Sequence, residues 1–160
     1  MAVADFGITA EPPSGVDCVI FRNTPTVEGE TTYPILQAST IDLSNYGLSD
    51  FGTDVVDGLG PLDYLCVMAE YEPSNPLGDS LDRVPQLASS DFAANVQIKA
   101  IEGQYGYQGF LQVSGRVFTL FVIVGSTDFI DSQLDGLNAF LASIVVGSGD
   151  YSLVADADVA

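Results

Sequence analysis

Sixteen Asp and six Glu stand against one Lys, three Arg and no His in 160 residues, a formal charge of −18. A surface of that sign repels nucleic-acid phosphates and anionic lipid, which excludes direct nucleic-acid binding by the ordinary electrostatic route. With 47% apolar residues the chain is no disordered acidic tail either, and its length suits one domain.

The opening residues Phe6 to Arg22 read as two strands around the turn Glu11-Pro-Pro-Ser-Gly15, where proline and glycine punctuate the chain. Residues 23–33 read as a polar loop, and Pro34 to Ile41 as a strand. Between Asp42 and Gly60, Gly52 and Gly58 weaken any helix, so one or two helical turns capped by Ser49 are the most that is expected. Leu62 to Glu72 is the next expected strand, ended by Pro73 and Pro76. Residues 73–88 read as a loop, Ser90 caps a short helix over Asp91–Asn95, and Val96 to Glu102 reads as a strand.

The clearest local pattern is Gly109–Val113 and Arg116–Val124 joined by Ser114-Gly115, a tight hairpin whose second strand is apolar enough to be covered on both faces. Ile130, Leu134, Leu137, Leu141 and Ile144 then recur at helical spacing. Asp128, Asp131 and Asp135 lie at the start of that helix, where its dipole favours carboxylates, and Gly147 stands where it is expected to stop. The expected fold is therefore α+β. An antiparallel sheet carries a long C-terminal helix, with one short mid-chain helix besides. One globular domain is expected over 1–148, and 149–160 as a flexible or edge-pairing tail.

The catalytic equipment is sparse. Without histidine there is no Ser-His or Cys-His mechanism and no His-ligated metal. Gly58-Leu-Gly60 runs into Pro-Leu-Asp, so it is no phosphate loop. Glu70 and Glu72, two apart on a strand, are a carboxylate pair for acid–base work or a solvent-facing alternation; the second reading is the commoner one. Asp54 with Asp57, and Asp156 with Asp158, are too sparse for a calcium loop. Weak, dispersed divalent-cation binding is all they suggest, and no cofactor is expected. Tyr105 and Tyr107 can offer flat, low-entropy contacts on a binding surface, or cap a sheet edge. Cys18 and Cys66 read as buried free thiols. If they instead joined neighbouring strands, a disulfide would close a loop worth roughly 3–4 kcal/mol.

The first residues lack the basic and long apolar parts of a secretion leader, and no apolar run reaches membrane-spanning length. The chain is then cytoplasmic or a mature product of secretion, with an exposed setting slightly favoured. Phe6-Gly-Ile-Thr-Ala-Glu-Pro-Pro-Ser-Gly15, the hairpin around Ser114-Gly-Arg116 and the terminal helix ending in Ala142-Ser-Ile144 resemble the PsbP-like α/β/α sandwich family, which includes LpqN-type lipoproteins. The resemblance implies a non-catalytic domain that docks onto partner proteins or binds an apolar ligand. The residues point the same way: a non-enzymatic binding or assembly module with a protein partner or its own copies, at a cell surface or in a particle shell. The alternatives are a nucleic-acid mimic, which needs its acids aligned on one face, and a carboxylate-based hydrolase, which needs a two-acid cleft.

Overall fold

Two dipeptides turn the chain back on itself with both residues at positive φ, the geometry that matches the twist of antiparallel strands. One is Ser114-Gly115, at 55° and 77°; the other is Phe6-Gly7, at 49° and 70°. The first was legible in the sequence, whereas Phe at a left-handed turn position is uncommon and hides the second. A computed structural model describes residues 2–48, 51–73 and 80–155, and of Phe129 and Asp131 the backbone alone. Ser49, Asp156 and Asp158, and the tail beyond 155, lie outside the described residues.

The strands are β1 (Val3–Asp5), β2 (Ile8–Ala10), β3 (Asp17–Phe21), β4 (Thr31–Thr32), β5 (Ile35–Ser39), β6 (Tyr64–Tyr71), β7 (Tyr105–Val113), β8 (Arg116–Val124), β9 (Val145–Val146) and β10 (Leu153–Val154). The one α-helix among the described residues, α1, spans Asp128–Ser143. The main sheet has the order β3-β5-β6-β8-β7, and every neighbouring pair in it is antiparallel. A second sheet, β1-β2-β9, and a β4-β10 pair complete the α+β fold.

Strand alternation divides the main sheet cleanly. Leu36, Ala38, Cys66, Met68, Phe118, Leu120 and Val122 point to the helix side. There they meet Leu137, Phe140 and Leu141 of α1, with Ile8 and Ala10 of β2 and Val146 of β9 beside them. Ile35, Leu65, Val67, Ala69 and Ile123 point the other way, into a smaller core roofed by Leu43, Val55 and Val56 from the connecting loops. β8 is covered on both sides, as its near-continuous apolar run requires.

Four expectations are corrected. The mid-chain helix over Asp91–Asn95 is only a 3₁₀ turn, Ser89–Asp91. Asp91 accepts from the Ala88 N–H at 2.7 Å, and Ala93 then exchanges backbone hydrogen bonds with Gly106, which pulls the chain out of helical geometry. Val96 to Glu102 forms no strand. The Gln97 amide donates to the carbonyls of Ile101 and Gln104 and closes the segment into a loop, whose Ile98 and Ile101 pack onto the second core. The helix stops at Ser143 rather than near Gly147, because Val145 and Val146 are taken up by β2 as strand β9. Finally, residues 23–33 are not loop throughout: Thr31 and Thr32 form β4, because Leu153 and Val154 pair with them.

One helix position is suboptimal. Gly136 lies inside α1, and a Cβ built there meets nothing within 4 Å. Gly136→Ala is expected to stabilise the protein by about 0.5–1 kcal/mol through lower chain entropy in the unfolded state. A denaturant midpoint unchanged or lowered would contradict this.

Candidate functional site: the half-covered sheet face

On the side away from α1 the sheet is roofed only in part. Ile35, Ala69, Thr119 and Phe110 are register partners in one row across β5, β6, β8 and β7. Ala69 and Thr119 are small, so the row sags between larger neighbours. Phe51 stands over it, with its ring edge-on to Phe121 at 5.7 Å between centroids and 80° between planes. On the β7 side of Phe51 is a concavity of about 350 Å³ lined by Ile98, Gln108, Phe110, Thr119 and Phe121. On the β5 side is one of about 230 Å³ lined by Glu30, Thr31, Tyr33, Ile35 and Ala69. Phe51 stands between them, and the paired residues Ala69 and Thr119, which line one each, continue the floor beneath it, so the two halves form a groove that crosses the strands.

The loop that carries Phe51 comes close because the next residue is glycine. Gly52 has φ +67°, and a Cβ there would sit 2.8 Å from Leu65 Cδ2. Phe51 remains 40% exposed, a large aromatic left in water over an apolar floor. The groove's electrostatics are one-sided: no Lys or Arg lines either half. Glu30 does, and the N–H groups of Thr26 and Val27 bonded to its carboxylate hold it below the usual range, so it is ionised at neutral pH. Lys99, near the other end, is already paired with Asp57 at 2.8 Å.

A second concavity lies at the hairpin end of β6 and β8, where Tyr33, Glu70, Glu72, Arg116 and Asp150 surround about 310 Å³. Burial first, then the charges of Glu72, Asp150 and Glu70, push the Tyr33 hydroxyl above its ordinary pKa. Glu70 is not the solvent-facing carboxylate of a strand alternation. Its side chain is 5% exposed, and both oxygens accept from Arg116, at 2.6 and 3.0 Å. Arg116 also donates to the Gly147 carbonyl and lies 4.8 Å from the Tyr151 ring centroid. This cluster ties β6 and β8 to the segment after α1, and it commits the Glu70 carboxylate to structure.

The other singled-out residues fall apart spatially. Tyr105 and Tyr107 lie on the helix side of β7, half-buried against the main core and away from the groove. Tyr107 folds over Gly109, where a Cβ would collide with its ring. Cys18 and Cys66 are free, each a register partner of Ala38 on either side of β5. Two strand spacings, ~9.5 Å, separate them, beyond the ~7 Å that a disulfide spans. Burial pushes the Cys18 thiol up to about 11 and Cys66 higher still, so both are poor nucleophiles. Asp54 is exposed, Asp57 is bound to Lys99, and Asp128 and Asp135 are exposed on α1. Among the described residues no group of three His, Cys, Asp or Glu is placed to hold a metal ion, and no helix is long and apolar enough to cross a membrane.

The groove itself was missed at the sequence level. Phe51 sits in a segment without periodicity, and Phe110 and Phe121 look like any strand aromatics until the cover of the sheet is known. Comparison with protein-family models, with curated proteins and with solved structures returned no match.

Proposed function

We propose that the protein is a binding module that docks a partner protein through the open half of its main sheet. The observation that carries this reading is the groove floored by Ala69 and Thr119 and flanked by Phe51, Phe110 and Phe121. Aromatics around a depression are the arrangement that concentrates binding energy at protein interfaces. The docking role implied by the PsbP-like resemblance agrees with it.

The acidic coat serves solubility in this reading. Exposed carboxylates lie over both faces, Asp54 and Asp57 on the groove side and Asp128 and Asp135 on the helix side. That distribution speaks against a phosphate-like line of charge on one face. The commitment of Glu70 to Arg116 speaks against its use as a catalytic acid.

The test is affinity capture from the native host with the parent chain, Phe110→Ser, Thr119→Lys and, as a control on the far face, Asp135→Asn. Phe110 and Thr119 are only half-buried, so these variants are expected to keep the parental circular dichroism and lose the captured partner. Asp135→Asn is expected to retain it. Capture of the same partner by all four proteins would refute a docking role for the groove.

A further inference from the structure

Resting on that reading, we propose that the segment occupying the groove carries an apolar anchor side chain at one end and a basic side chain at the other. The two halves of the groove differ in chemistry. The β7 half is built from Phe51, Phe110, Phe121 and Ile98 and takes an apolar side chain. The β5 half contains Thr31, Tyr33 and two acids: Glu70 is paired with Arg116, whereas Glu30 is ionised and no Lys or Arg is among the lining residues. Glu30 spends acceptor capacity on the Thr26 and Val27 N–H groups at 2.8 and 3.1 Å, which fixes its position while it remains exposed.

The charge on the rest of the chain narrows the partner further. At −18, a neutral or acidic partner gains nothing from approach, whereas a basic one is steered in. A second copy of the chain carries the same net charge, so the same argument disfavours it as the occupant. The row Ile35–Ala69–Thr119–Phe110 spans three strand spacings, ~14 Å, which about four residues of extended chain cover. An extended occupant that crosses the whole row therefore places its anchor and its basic residue at least about four positions apart.

The experiment titrates the ¹⁵N-labelled protein with the blocked peptide Phe-Gly-Ser-Gly-Lys-Lys and follows backbone amide shifts. Three companions are used: the same peptide with Glu for both Lys, with Gln for both Lys, and with Ser for Phe. The expected result is a saturable shift of the amides of Phe51, Phe110 and Thr119 with the parent peptide. Binding is expected to weaken about tenfold or more with the Glu peptide and about threefold against Glu30→Gln protein. The Ser peptide is expected to give only scattered shifts, the mark of unspecific attraction to an acidic surface.

Equal binding of the Gln, Glu and Lys peptides at these amides would overturn the basic partner and leave the docking groove standing. No shift at these amides with any peptide, together with unchanged capture by Phe110→Ser, would overturn both. Sedimentation showing a dimer that Thr119→Lys dissociates would identify a second copy as the occupant and overturn this proposal alone.

Discussion

Arg116→Met is expected to lower the free energy of unfolding by about 3–5 kcal/mol, the range for removing one partner of a buried ion pair. The Arg116 and Glu70 side chains are 3% and 5% exposed, so the glutamate left behind is a largely desolvated charge with two hydrogen bonds unmade. The same substitution removes the donor to the Gly147 carbonyl and the cation beside the Tyr151 ring. The segment after α1 thus loosens together with the sheet. Arg116→Lys is expected to recover only part of the loss, because an ammonium cannot span both oxygens of Glu70 and the Gly147 carbonyl as the guanidinium fork does. Lys99→Met provides the contrast: its pair with Asp57 is about half exposed on both sides, and its removal is expected to cost under about 1 kcal/mol. Urea unfolding of the three variants checks the ranking. An Arg116→Met protein within about 1 kcal/mol of the parent would show that the pair contributes no more than a surface bridge.

What could be read in advance follows from which interactions are local. The Ser114-Gly115 hairpin and α1 declare themselves through turn chemistry and periodicity: the turn and the apolar helix stripe fall where the pattern puts them, although β7 begins at Tyr105 rather than Gly109 and α1 ends at Ser143 rather than near Gly147. Elements decided by distant partners did not. Val145 and Val146 follow a helix and become a strand only because β2 lies beside them. Val96–Glu102 has the composition of a strand, yet the Ala93–Gly106 bridge and the Gln97 amide hold it as a loop. Glu70 alternates like a surface residue until Arg116, 46 positions away, meets it. The groove is the extreme case. It exists because loops carrying Leu43, Val55 and Val56 roof one half of a sheet face and leave Phe110, Thr119 and Phe121 beside Phe51 only half covered. No spacing of residues encodes the extent of a roof. The charge was fully legible, by contrast, because it needs no fold to count.

Phe140→Ala tests whether the helix and the main sheet share one core. Phe140 is 1% exposed, between Leu137 and Leu141 on the buried stripe of α1, and it widens the face that a strict four-three spacing outlines. Truncation removes the ring and leaves a cavity against a sheet that cannot collapse to fill it, for an expected loss of about 3–5 kcal/mol. That is a large share of the ~5–15 kcal/mol that holds such a domain together. Ile130→Ala, on the half-buried first turns, is expected to cost markedly less. A peptide of the α1 sequence alone is expected to show little helicity in water, since a sixteen-residue helix with an internal glycine depends on packing for its stability. Far- and near-ultraviolet circular dichroism during denaturation are expected to change together in both variants, as one cooperative unit requires. If Phe140→Ala lost less than Ile130→Ala, or if the helical signal melted apart from the aromatic one, α1 would be a loosely attached element, and the groove side of the sheet would have to fold without it.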